Sequence, residues 1–172
     1  MKKILLPLLI TFCFLLESLF VELWPVNLFH GKWIIVPHFL LILILFVTIY
    51  VGRKQGIMYG FLFGLFFDVV YTEIIGIYLF MIPLIVYIIA WVMKILQSNI
   101  FISSIVTLFG VTLLELGVYE MNFLIQLTEM SFSDYVNLRL WPTLIMNLIF
   151  IIIIAFPLKK YLENYAEALR ND

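Results

Sequence analysis

A chain of 172 residues that is 65% hydrophobic and only 12% charged, with a mean hydropathy of +1.17, cannot hide its apolar side chains inside a 20.2 kDa water-soluble globule. The net charge of −1 comes with no basic run that would mark a nucleic-acid partner. The single cysteine, Cys13, leaves no internal disulfide and no cysteine metal site.

The composition is that of an all-α polytopic membrane protein, and six segments are long enough to cross a hydrocarbon core of ~30 Å. The first covers residues 4–24. It follows Lys2 and Lys3 as a signal peptide would, but no small-x-small cleavage site follows, so it reads as an uncleaved first span stopped by Pro25. The second covers 34–51, with Pro37 near its start and Gly52-Arg53-Lys54 at its end. The third covers 56–71 and the fourth 77–96. The fifth, 100–127, is long enough to be tilted or to project from the bilayer. The sixth covers 135–158, and residues 159–172 form a charged tail. The connections are barely turns, so residues 1–158 read as one transmembrane domain of antiparallel hairpins. In the tail, Tyr161, Leu162, Tyr165 and Leu169 share a helical face that suits the membrane surface, a cytoplasmic partner or a simple solvated helix end.

Lysine and arginine set the orientation. With the N-terminus inside, Lys2, Lys3, Arg53, Lys54, Lys94, Lys159, Lys160 and Arg170 face the cytoplasm, and only Lys32 and Arg139 lie outside. An even number of spans returns the C-terminus to the cytoplasm. Trp24, Trp33 and Trp141 then fall at the outer interface.

The third span carries the most specific pattern. In GIMYGFLFGLFFD, Gly56, Gly60, Gly64 and Asp68 recur every four residues and share a helix face. Repeated glycine weakens a helix in water, but in a bilayer it lets another helix approach closely. This face predicts either packing against a neighbouring span or docking of a partner's helix. An ionised carboxylate at mid-membrane costs about 2.5–3.5 kcal/mol, so Asp68 must look into protein. At 1.5 Å per residue, Asp68 lies roughly 18 Å along its span, and Glu17 and Glu115 roughly 20–22 Å along theirs, so the three acids form one layer in the outer half.

The fifth span adds a polar seam of Thr112, Glu115, Tyr119, Asn122 and Gln126 at steps of three and four. The first span's fainter seam is Thr11, Ser18 and Glu22, with Glu17 pointing elsewhere. Arg139 is the basic side chain nearest the acid layer and is expected to pair with Glu120, Glu115 or Asp68. The layer suits a proton or ion path, an outward ligand cavity, a docking surface for partner helices, or simply groups that hold the helices in register. No ladder of polar residues continues to the inner side, which disfavours conduction.

Catalysis finds no pattern here. His30 and His38 read as span-end residues without a helical partner at metal-ligand spacing, and no GxSxG, HExxH or glycine-rich phosphate loop is present. The chain is expected to be no enzyme and to need no cofactor or metal.

Six spans, Pro37, the basic turn Arg53-Lys54, and the Gly56/Gly60/Gly64/Asp68 face followed by Gly76 resemble the MreD family of rod shape-determining proteins, in particular its Bacillus-type members. Many relatives carry an acid after the proline of span two, where this chain has His38. The resemblance implies a non-enzymatic scaffold of the peptidoglycan-elongation machinery in the cell membrane. Its implied partners are MreC and, alongside it, MreB, RodA and a class B penicillin-binding protein. It also implies a fold like the S-components of energy-coupling-factor transporters, six helices around an outward cavity. On that reading the glycine face and the polar layer, with Pro37, Glu115, Tyr119, Asn122 and Arg139, form a socket for MreC that ends at Asp68. The main alternative is a vitamin-binding S-component. Such proteins typically present alanines at AxxxA spacing on their first helix, and the first span here has no alanine. An intramembrane protease of the CAAX type would need paired glutamates on one face, which Glu115 and Glu120 do not provide.

Overall fold

A computed structural model describes residues 2–23, 33–72, 74–97 and 99–170, and all regular structure among them is helical. Trp24, Pro25, His30 and Lys32 fall outside the described residues, as do the side chains of residues 2–4. The helices are α1 (Lys2–Leu23), α2 (Phe39–Tyr50), α3 (Arg53–Tyr71), α4 (Ile77–Ile95) and α5 (Ile100–Leu124). A short α6 (Phe132–Tyr135) then leads through a π-helical turn, Val136–Leu140, into α7 (Trp141–Arg170). Four helical stretches are long and apolar enough to cross a membrane: Leu5–Leu23, Ile77–Ile95, Ile100–Leu124 and the continuous rod Phe132–Arg170. The chain is therefore an all-α, multi-pass membrane protein.

The bundle is built around α2. Its sequence, FLLILILFVTIY, is apolar on every side, as a helix buried all round should be. Every residue from Phe39 to Thr48 is buried, and α2 packs against α1, α3, α4, α5 and α7. By contrast α1 is peripheral. Leu8, Phe12, Leu15 and Val21 are exposed, while Phe14 turns inward among the rings of Phe63, Phe67 and Tyr71 on α3.

The observed boundaries depart from the sequence reading in three places. The second helix starts at Phe39 rather than 34, because residues 33–38 are non-helical. Pro37 has no N–H to give, and it drives the residue before it to extended backbone. The fifth helix stops at Leu124 rather than 127, where the chain turns through Gln126 at a φ of +59°. Gln126 is thereby lost from the polar seam. The last helix runs unbroken through 159–170, and Leu162 and Tyr165 join the same core as α2.

The glycine face of α3 is filled from within the chain. A Cβ at Gly56 would collide with Thr48 of α2. One at Gly64 would stand 2.7 Å from the carbonyl oxygen of Tyr78 and 3.0 Å from the Cα of Leu79, both in α4. One at Gly60 would only touch Ile82 and Pro83, at 3.4–3.5 Å. The bare strip lets α3 and α4 approach backbone to backbone, so it offers no groove to a further helix.

Candidate functional site

The acids of α1, α3 and α5 gather at the end of the bundle where those helices finish and α2 and α4 begin, called the distal end below. Helices α2 and α4 lack a side-chain cap of their own, whereas Asn99 caps α5 and Ser131 caps α6. For α2 and α4 the preceding helix supplies a carboxylate instead. Asp68, fully buried, accepts hydrogen bonds from the backbone N–H groups of Gly76 (2.8 Å), Tyr78 (2.9 Å) and Leu79 (2.9 Å) at the start of α4. Glu17, 3% exposed, accepts from Leu40 N–H (3.0 Å) in the first turn of α2. Orphan N–H groups at a helix start, together with the helix dipole, favour a negative charge there. Asp68 is thus a cap shared between α3 and α4 rather than the end-stop of an open socket.

Glu115 is held differently, by side chains from separate segments. Arg139 donates from Nε to Oε2 at 2.9 Å and from Nη2 to Oε1 at 3.4 Å. Tyr135 donates its hydroxyl to Oε2 at 2.9 Å, and His38 Nε2 lies 2.7 Å from Oε1. Of the three acids offered to Arg139 by depth, Glu115 takes it. His38 is no span-end residue: it is 2% exposed and sits inside this network.

The same network pins the non-helical segment 33–38. Extended backbone inside a membrane protein survives only where protein satisfies its polar groups. Here α7 does so along alternate residues. Ile34 N–H donates to Leu138 O, at 2.8 Å, in the π-helical turn. Val36 N–H donates to Thr143 Oγ1 (3.1 Å), and Asn147 Nδ2 donates to Val36 O (2.9 Å). His38 N–H donates to Asn147 Oδ1 (2.8 Å). The π-helical turn leaves a carbonyl free of its ordinary α-helical partner, and the extended chain uses one there. Pro37 occupies an in-between register, where no N–H is needed toward α7.

Two cavities border this segment, and both reach Tyr71. One, of about 420 Å³, is lined by Tyr119, Asn122, Tyr135 and Arg139 among others. The other, of about 380 Å³, is bordered by Glu17, Glu22, Pro37 and Phe67. Tyr119 stacks on Tyr135 with centroids 4.1 Å apart and donates its hydroxyl to Met130 O (2.9 Å). Thr112 only bonds back to Leu108 O. Glu22 and Glu120 are exposed.

The structure therefore brings Pro37, Glu115, Tyr119, Asn122 and Arg139 to one end, together with Asp68, and leaves Gly56, Gly60 and Gly64 in the helix–helix seam. Sequence reasoning missed His38, Tyr135, Thr143 and Asn147. Thr143 and Asn147 did carry a signal, being two polar residues four apart in an otherwise apolar stretch, LIMNLIF with its preceding WPT. Among the described residues no group of three or more His, Cys, Asp or Glu could hold a metal ion.

Comparison with known proteins places this architecture. The family model described as rod shape-determining protein MreD matches residues 2–165. Rod shape-determining protein MreD of Bacillus subtilis (strain 168) is 28% identical over 172 residues, covering the whole of both chains. Cell shape-determining protein MreD of Streptococcus pneumoniae (strain ATCC BAA-255 / R6) is 30% identical over 124 residues, covering 72% of this chain and 76% of its own. No solved structure gives a significant match, and the vitamin-transport alternative gains no support. The matched family determines cell shape and is structural rather than enzymatic. By a family match that runs over nearly its whole length, the chain belongs to the MreD family of rod shape-determining proteins.

Proposed function

We propose that this protein is a six-span scaffold of the elongation machinery that docks MreC at its distal end, on the outer face of the membrane, with both termini in the cytoplasm. The observation that carries the reading is the cavity of about 420 Å³ lined by Tyr119, Asn122 and Arg139, whose guanidinium is held by the buried Glu115. Residues 33–38 and α2 together make the second span in this reading. Six non-helical residues can add up to about 20 Å to a twelve-residue helix of about 18 Å. Eight of the ten basic residues lie at the opposite end, which favours its facing the cytoplasm. Exposed Trp33 and Trp141 suit an outer interface belt. Six helices with cavities opening outward also agree with an S-component-like arrangement. At the opposite end, Tyr50, Gln55, Glu163, Glu167 and Arg170 surround a cavity of about 740 Å³ that would face the filament MreB. RodA and the class B penicillin-binding protein complete the assembly.

The glycine face is no part of this docking surface, because α2 occupies it at Gly56 and α4 at Gly60 and Gly64. The test is co-purification of MreC with Asn122→Trp, which fills the cavity from its rim. Recovery should fall about tenfold, equivalent to roughly 1.4 kcal/mol, and a rod-shaped host carrying the variant should round up. Unchanged recovery of MreC with a filled cavity would refute the docking site.

A further inference from the structure

The second distal cavity has a carboxylate that the cap does not use up. Glu17 spends Oε2 on Leu40 N–H, and no described residue donates to Oε1. The residue is 3% exposed and borders a space of about 380 Å³ walled mainly by apolar side chains, among them Val36, Pro37 and Phe67. Glu22 stands five residues further along α1, exposed where it lines the same cavity. A mainly apolar cavity bordered by a buried carboxylate fits a long aliphatic stem that carries a cation at its tip, as lysine and arginine do. The charge of the whole end points the same way. By position along the chain, eight of the eleven acids belong to the distal end, against two of the ten basic residues, Lys32 and Arg139. Arg139 is already committed to Glu115.

We propose that the cavity beside Glu17 receives a lysine or arginine side chain from the partner protein's segment at the outer membrane face, with Glu17 Oε1 and Glu22 as its counter-charges. This rests on the docking reading above and adds a second contact to it, in the neighbouring cavity that shares Tyr71. The cation would settle the unused lone pairs of a carboxylate that already orders α2. Partner binding and the geometry of the non-helical segment would then be coupled through one residue.

The test uses the full chain co-expressed with full-length MreC in membranes. A compact aliphatic diazirine amino acid, close to leucine in size so that it fills neither space, is placed at Val21, which lines the Glu17 cavity, and separately at Asn122, which lines the other. Both positions are read with and without Glu17→Gln, which removes the charge and keeps an oxygen for Leu40 N–H. The proposal expects Val21 adducts that map within a few residues of a lysine or arginine in MreC. Glu17→Gln should lower their yield about tenfold and leave the Asn122 adducts within about twofold. Val21 adducts with MreC that map away from any basic residue, or that persist in Glu17→Gln, would overturn the cation socket. So would Val21 adducts with lipid alone, or a Lys32→Met variant that reproduces the Glu17→Gln loss, which would assign the cation to this chain. If Asn122 still captures MreC in those cases, the docking reading stands. If neither position captures MreC, both fall.

Discussion

Asp68 and Glu115 are both buried acids at the distal end, yet the structure uses them in opposite ways. Asp68 is satisfied by three backbone N–H groups of one neighbouring helix. Removing its carboxylate would strand those N–H groups at the start of α4. Glu115 is satisfied by side chains of His38, Tyr135 and Arg139, which come from the extended segment, α6 and the π-helical turn. It is a hub that ties otherwise separate pieces together beside a cavity. Intramembrane carboxylates are thus not one functional class: the donors around each decide whether it holds the fold or shapes a surface.

The comparison breaks most severely at Asp68. Asp68→Ala strands three N–H groups in apolar surroundings, at a cost of at least ~3 kcal/mol. It should empty the membrane of folded protein, read as the loss of a sharp transition in a detergent melt. Next comes the glycine seam. Gly64→Leu forces side-chain atoms into the backbone of α4 and should also prevent folding, whereas Gly60→Ala, whose new methyl only reaches van der Waals contact, should cost less than ~1.5 kcal/mol. The pair of melts separates a seam inside the chain from a docking groove, because a groove variant would fold normally and lose only the partner.

Effects at the hub should be smaller and differently shaped. Glu115→Gln keeps an acceptor for Tyr135 and Arg139 but removes the ion pair, and should cost about 1–3 kcal/mol while leaving the protein inserted. Asn147→Leu removes the partners of Val36 O and His38 N–H. It should cost about 1–3 kcal/mol and appear first as faster amide exchange over residues 34–38, with the helical bundle still protected. Equal protection loss throughout the bundle would mean that the segment is not a separable unit.

Much of this was legible in the sequence, and the reasons differ from residue to residue. Six helical segments followed from apolar runs and short connections, and the burial of Asp68 and Glu115 followed from the cost of charge in hydrocarbon. The glycines at 56, 60 and 64 announced close approach, but four-residue spacing cannot say which helix approaches. The Arg139–Glu115 pair was one of three that depth allowed. The extended segment was not legible, because ILE-VAL-PRO-like apolar residues at 34–37 look the same to a hydropathy scan whether helical or extended. Its partners, Thr143 and Asn147, lie more than a hundred residues away in sequence. A helix start expected at residue 34 lies five residues before the observed one at Phe39, and that shift hides the reach of His38 to Glu115.

The most direct test measures MreC recovered per unit of folded protein for Asp68→Asn and Glu115→Gln, with folded protein counted by a detergent melt. The account predicts that Asp68→Asn lowers the amount of folded protein but leaves the ratio unchanged, and that Glu115→Gln leaves most protein folded and lowers the ratio about tenfold. An unchanged ratio for Glu115→Gln, or a collapsed ratio for Asp68→Asn with its folded protein intact, would contradict the division of labour between the two acids.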